Sequence, residues 1–108
     1  MGKTSKYVLY VSNLSSATRS ADIKKEFSYA GPVEQVERDY KTRSALVELR
    51  SERDRAHAVL QSPDAQYAWK KMDGFRLDGR KWMVDWATKD DFKFFGWKWT
   101  EDSPSPSR

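Results

Sequence analysis

The sequence contains no cysteine, a single histidine, four prolines and five glycines. Each scarcity removes a class of chemistry. Without cysteine there is no disulfide, no thiolate nucleophile and no Cys-based zinc or iron–sulfur centre, which fits a reducing compartment. His57 alone cannot form a histidine pair, and its setting in Arg55-Ala56-His57-Ala58 reads as a solvated helix surface. The glycines are scattered at turns, so no glycine-rich loop exists to cradle a phosphate. No apolar run approaches the roughly 20 residues of a membrane span, and no hydrophobic stretch opens the chain as a secretory signal does. Carboxylates are plentiful, yet none stands in an acid/base motif. Asp90-Asp91 and Glu101-Asp102 read as solubilising charges. The residues therefore point away from an enzyme and call for no cofactor or metal.

What is present suits one small domain. The chain has 108 residues, 38% hydrophobic and 33% charged, with 20 Lys+Arg against 16 Asp+Glu for a net +4. Residues 1–87 hold 16 basic and 12 acidic side chains, whereas residues 88–108 hold four of each. The excess charge thus belongs to the folded part and favours an anionic partner, weakly because the two signs are mixed.

Tyr7 to Val11 is β-branched and aromatic and ends in Ser12-Asn13, which predicts a strand and a turn. After a loop containing the candidate caps Thr18 and Ser20, Ile23, Phe27 and Ala30 fall at i, i+4 and i+7, one helical stripe closed by Gly31-Pro32. Val33–Asp39 and Ala45–Leu49 predict two more strands joined by Tyr40-Lys41-Thr42-Arg43. A helical segment around Arg53–Gln61 follows, then a helix begun by Ser62-Pro63-Asp64 that runs to about Met72 and ends at Gly74. Trp82–Trp86 supplies the last strand. The order is βαββαβ with an extra helical segment before the second helix. It predicts an α+β sandwich: a four-stranded antiparallel sheet with two helices on one face. Residues 1–6 read as an N-terminal tail, 7–89 as the domain, 90–102 as an aromatic extension and 103–108 as a disordered Ser/Pro tail.

Several landmarks resemble the RNA-recognition motif family over about residues 7–88. Leu9-Tyr10-Val11-Ser12-Asn13-Leu14 fits the family's six-residue ribonucleoprotein motif. Asp22–Phe27 with Gly31-Pro32-Val33 is similar to its first helix and turn. Ala65, Ala68, Met72-Asp73-Gly74 and Leu77-Asp78-Gly79-Arg80 are similar to its second helix and the turn before the last strand. Ser16–Ser20 and Val84-Asp85-Trp86-Ala87, with the Ser-Pro-Ser-Arg end, are closest to the serine/arginine-rich (SR-type) splicing factors. Alternation sends Leu9 and Val11 to the helices and Tyr10 outward, where a base can stack on its ring. The family's eight-residue motif is degraded: in Thr42–Leu49 the two outward aromatics are replaced by Ser44 and Leu46. At ~1–3 kcal/mol per base–aromatic stack, two losses remove ~2–6 kcal/mol. Met83 and Asp85 are expected outward from the last strand, with Trp82, Val84 and Trp86 in the core. Glu48 and Glu37 add carboxylates that repel phosphate.

The resemblance implies single-stranded RNA, pre-mRNA or mRNA, as partner. Tyr10, Asn13, Lys41, Arg43, Leu46, Met83 and Lys89 are the candidate contacts, with Asn13 shaping the strand-to-loop turn. It implies a nuclear, monomeric protein of splicing or mRNA processing, with splicing proteins as further partners and no membrane. The alternative is a protein-interaction module of a ribonucleoprotein complex on the same fold, motivated by the lost aromatics and the outward acids. The loop Phe75-Arg76-Leu77 does not match the Arg-x-Phe that a Trp-peptide-binding variant of the family uses. The aromatic extension has three readings. It caps the domain, it covers or extends the sheet and supplies stacking rings, or it is a ligand for another protein; Phe94, Trp97 and Trp99 are its candidate contacts. Ser103 and Ser105, each before proline, are candidate phosphorylation sites.

Overall fold

The computed structural model describes residues 4–50 and 63–99. The predicted helical segment at 53–61, the cap Ser62, His57 and the Ser103 and Ser105 sites lie outside these residues. Within them the order is β1 (Thr4–Ser12), α1 (Ser20–Ser28), β2 (Val33–Asp39), β3 (Ser44–Leu49), α2 (Pro63–Met72), β4 (Arg76–Leu77), β5 (Arg80–Lys81), β6 (Met83–Thr88) and α3 (Lys89–Phe95). The main sheet is antiparallel in the order β2-β3-β1-β6, and β4 and β5 form a separate two-stranded hairpin. This is the α+β architecture that the spacing predicts. The β4–β5 turn is Asp78-Gly79, both at positive φ (53° and 80°), the two-residue geometry that matches strand twist and that Asp-Gly favours.

One face of the sheet carries α1 and α2. Leu9, Val11, Ala45, Val47, Leu49, Trp82, Val84 and Trp86 meet Ile23 and Phe27 of α1 and Ala65, Ala68 and Met72 of α2 in the main core. Trp82 is its largest fully buried side chain; it stacks on Phe27 at 6.0 Å and meets the edge of Phe75 at 5.1 Å. Trp69 fastens α2 to β6, donating its indole N–H to the Val84 carbonyl at 3.1 Å. The predicted inward placement of Trp82, Val84 and Trp86 holds.

The opposite face departs from the simple alternation. β3 is buried at every position from Ser44 to Leu49, and Tyr7 to Val11 of β1 is buried except for Tyr10, which is half-exposed. Continuous burial means that both faces of these central strands are covered. The cover on the far side is α3 and the residues after it. Val8, Leu46, Ala87, Tyr7 and Phe92 form a second apolar cluster, against which Tyr10, Phe95, Trp97 and Trp99 pack. Tyr7 joins it because β1 is irregular between Thr4 and Leu9. There the Ser5 hydroxyl accepts from the Tyr7 and Val8 amides at 3.2 and 3.0 Å, which breaks the strict alternation.

Two local devices shape α3. Thr88 accepts from the Asp91 amide at 3.1 Å while the Asp91 carboxylate accepts from the Thr88 amide at 2.9 Å, a reciprocal N-terminal cap. Gly96, at φ 75°, closes the C-terminus and aims Trp97 back across the sheet. Fully burying one large apolar side chain is worth roughly 1.5–3 kcal/mol, so Phe92 alone, 2% exposed, anchors the helix firmly. Thr88→Ala removes the cap at a cost of about 1 kcal/mol. Amide exchange in α3 should quicken by roughly fivefold, with β1 and β3 unchanged; equal acceleration throughout would show that α3 and the sheet open as one unit.

Candidate nucleic-acid interface

The sheet has two ends. At one lie Ser12, Asp39, Ser44 and Met83; at the other lie Thr4, Val33, Leu49 and Thr88. The chain enters α3 from the Thr88 end, so the tail covers that part of the face and leaves the Met83 end open. On the open end Met83 is 61% exposed and Tyr10 is half-exposed. Asp85 is exposed and pairs across the strands with Tyr10.

Three connections converge at this end and hold one another. Asn13 sits in the left-handed region at φ 63°, which asparagine tolerates. Its side-chain amide donates to the Lys81 carbonyl at 2.8 Å, and its carbonyl oxygen accepts from the Arg80 guanidinium. The Thr18 hydroxyl donates to Asp78 at 2.7 Å, a second tie between the β1–α1 loop and the β4–β5 hairpin. The Leu14 amide donates to the Arg43 carbonyl at 3.0 Å, which adds the β2–β3 connection. Arg38 lies beneath, donating to the Ser15 and Thr18 carbonyls, each at 2.8 Å, and packing 4.3 Å over the Tyr40 ring. Burial pulls its guanidinium below its ordinary pKa, only partly opposed by Tyr40 and Asp39.

The β2–β3 connection is folded by Asp39, whose carboxylate accepts from both the hydroxyl and the amide of Thr42. Those bonds lower its pKa from the ordinary 3.8, the hydroxyl contributing most. Lys41 and Arg43, the latter at φ 54°, are thereby displayed exposed at the rim, with Lys81 exposed on the neighbouring hairpin.

The expected contacts thus fall into three groups. Tyr10, Met83, Lys41 and Arg43 gather at the open end, with Asn13 as the hinge of that end, its side chain already engaged. Lys89, the first residue of α3, is exposed at the opposite end, five residues of strand or about 17 Å from Met83, so it does not share their rim. Leu46, expected at an open outward position, is instead fully buried, because the tail lies over it. Among the candidate tail contacts Trp97 and Trp99 pack on the sheet-face cluster, while Phe94 is 60% exposed and meets the edge of Phe95. Phe92 and Phe95 do the packing that was expected of Phe94. Their i, i+3 spacing on α3 was the available signal; Trp99 lies beyond the helix end at Gly96 and is outside that pattern. Lys81 completes the basic rim, and Arg80, bonded to Asn13, braces it. Among the described residues no group of His, Asp and Glu side chains could hold a metal, and no helix is long and apolar enough to cross a membrane.

Residues 9–62 match the RNA recognition motif family. No curated protein matches the chain in sequence. Among solved structures the chain is similar to the second RNA-binding domain of a hypothetical protein, at 24% identity and a TM-score of 0.66, covering 82% of this chain and 71% of that one. It is also similar to the third RRM domain of Gbp2 (20% identity, TM-score 0.64, 83% of this chain and 85% of that). The NONO-1 homodimer of C. elegans matches at 23% identity and 0.62, over 81% of this chain and 31% of that one. At these identities the likeness is one of fold.

The depressed Asp39 pKa carries a sign. Because the folded value lies below the unfolded one, its contribution is present above the ordinary carboxylate pKa and is lost as pH falls through the lowered value. An NMR titration should place the Asp39 midpoint below that of a free aspartate, with the Thr42 amide shift following the same curve. An ordinary midpoint would mean that the turn bonds do not persist in solution.

Proposed function

The chain belongs to the RNA recognition motif family, a family of RNA-binding domains rather than enzymes, and we propose that it binds single-stranded RNA through the open end of its sheet. The observation that carries the proposal is the placement of Tyr10. Its ring stands outward on a central strand, half-exposed, beside exposed Met83 and under the rim of Lys41, Arg43 and Lys81. A ring stacks on a base without demanding its identity, Met83 adds apolar contact, and the cations follow the backbone phosphates. Arg80, tied to Asn13, fixes the rim rather than reaching from it. The short open surface suits a few nucleotides, an economy consistent with the lost octamer aromatics. We place the domain in pre-mRNA splicing or mRNA processing in the nucleus, acting as a monomer alongside splicing proteins. This finer reading rests on the likeness of Ser16–Ser20, Val84–Ala87 and the Ser-Pro-Ser-Arg end to SR-type factors.

One observation favours a second reading. The apolar middle of the sheet, Val8 and Leu46, is already occupied by the chain's own tail. A protein-interaction module that scarcely touches RNA would have such a sheet, and its partner would survive nuclease treatment.

Titration with short single-stranded RNA at several salt concentrations tests the proposal. Three phosphate contacts require a slope of log affinity against log salt of about −2, and Lys41→Ala or Arg43→Ala should each shallow it by about 0.7. Tyr10→Ala should weaken binding by roughly 5- to 140-fold. No binding at low salt, or a Tyr10→Ala variant that binds normally, would rule the open-end site out.

A further inference from the structure

Strand register places four residues in one row across the far face of the sheet. Asp85 of β6 pairs with Tyr10 of β1, Tyr10 with Leu46 of β3, and Leu46 with Glu37 of β2. Leu46 is the position where the degraded octamer would have carried an aromatic ring. The Trp97 indole donates its N–H to Glu37 Oε1 at 2.7 Å, which places the indole at the Glu37 end of that row. It also meets Phe92 edge-on at 5.9 Å and packs, like Tyr10, on the cluster that contains Leu46. It is held from both sides yet remains half-exposed. The tail therefore returns an aromatic ring to the face from which β3 has lost one.

We propose that Trp97 is a second base-stacking residue for single-stranded RNA, completing with Tyr10 a composite platform of which one ring comes from the sheet and the other from the tail. This rests on the RNA reading above. Tyr10 and Glu37 are two strand spacings apart, about 10 Å, a separation that suits two splayed bases of one strand rather than two stacked ones. The hydrogen bond to Glu37 fixes the indole before RNA arrives, so little side-chain freedom is lost on binding. It also engages one oxygen of a carboxylate that would otherwise face the phosphates. The burial of Phe92, Val8 and Leu46 beneath makes the tail a fixed part of this surface instead of a lid that RNA must lift.

The test uses the full chain, with randomised single-stranded hexaribonucleotides and with a uridine hexamer. Trp97→Ala should weaken binding by about 5- to 140-fold, and Trp97→Phe by no more than about threefold, since a ring remains. In the wild-type chain the Trp97 ring protons should move upfield on saturation with RNA, the mark of a base lying on the ring. If Trp97→Ala also loosens the tail, the Phe variant and the ring-proton shift still decide the matter. Unshifted Trp97 ring protons at saturation overturn the proposal. So does a Trp97→Ala variant that binds as well as or better than wild type while Tyr10→Ala weakens binding; the open-end site would then stand and the tail would be only a cover. If the wild-type chain binds none of these RNAs, both readings fall together.

Discussion

The packing of the C-terminal aromatic residues on the far face of the sheet is the constraint from which the other features follow. Phe92 is driven from water against Val8, Leu46 and Ala87, and Trp97 and Trp99 meet its ring edge-on at 5.9 and 4.9 Å. An antiparallel sheet of this kind commonly keeps one face wet. Here the second face is half dry, which is why β3 tolerates Leu46 where an exposed position would be polar or functional. Beside it on the same strand Glu48, expected outward, is instead 3% exposed and accepts from the Gln35 side chain at 2.9 Å. The face is thereby divided into a sealed part near Thr88 and an open part near Met83.

That division assigns different work to the two ends. The sealed end contributes cohesion, and α3 with its two caps is part of the domain rather than an appendage. The open end is organised by polar ties instead: Asn13 to Lys81 and Arg80, Thr18 to Asp78, Asp39 to Thr42. These bonds spend no cation needed at the rim, since Lys41, Arg43 and Lys81 remain exposed. A surface with rings in the middle and cations at the margin recognises a flexible anionic strand by stacking and charge, with little demand on base identity.

Most of the main sheet was legible in the sequence because it depends on local signals. The predicted second strand, Val33–Asp39, has the observed bounds; Pro63 and Asp64 open α2; and Asp78-Gly79 makes the hairpin turn. The inward Trp82, Val84 and Trp86 follow from period-two alternation. The strand β1 runs from Thr4 to Ser12, beyond the expected Tyr7–Val11, because polar Thr4 and Ser12 extend the ladder to β6 without adding to the apolar pattern. The helix α3 was missed although its cap residues, Thr88, Asp91 and Gly96, are all present, because a short segment crowded with aromatics shows no clean polar face. The burial of Leu46 was out of reach for a different reason. It depends on contacts such as Trp97 to Glu37, 60 residues apart, which no local pattern encodes. Continuous apolarity of Tyr7–Val11 was the one hint that both faces are covered.

The most direct measurement of this account is a methyl-to-aromatic NOE experiment on the Leu46 methyl groups of the RNA-free chain. A docked tail predicts strong cross-peaks from these methyls to ring protons of the aromatic residues between Phe92 and Trp99, together with methyl shifts moved upfield by those rings. Leu46 methyls at ordinary shifts, with contacts only to β1 and β2, would contradict the account and return the whole sheet face to solvent.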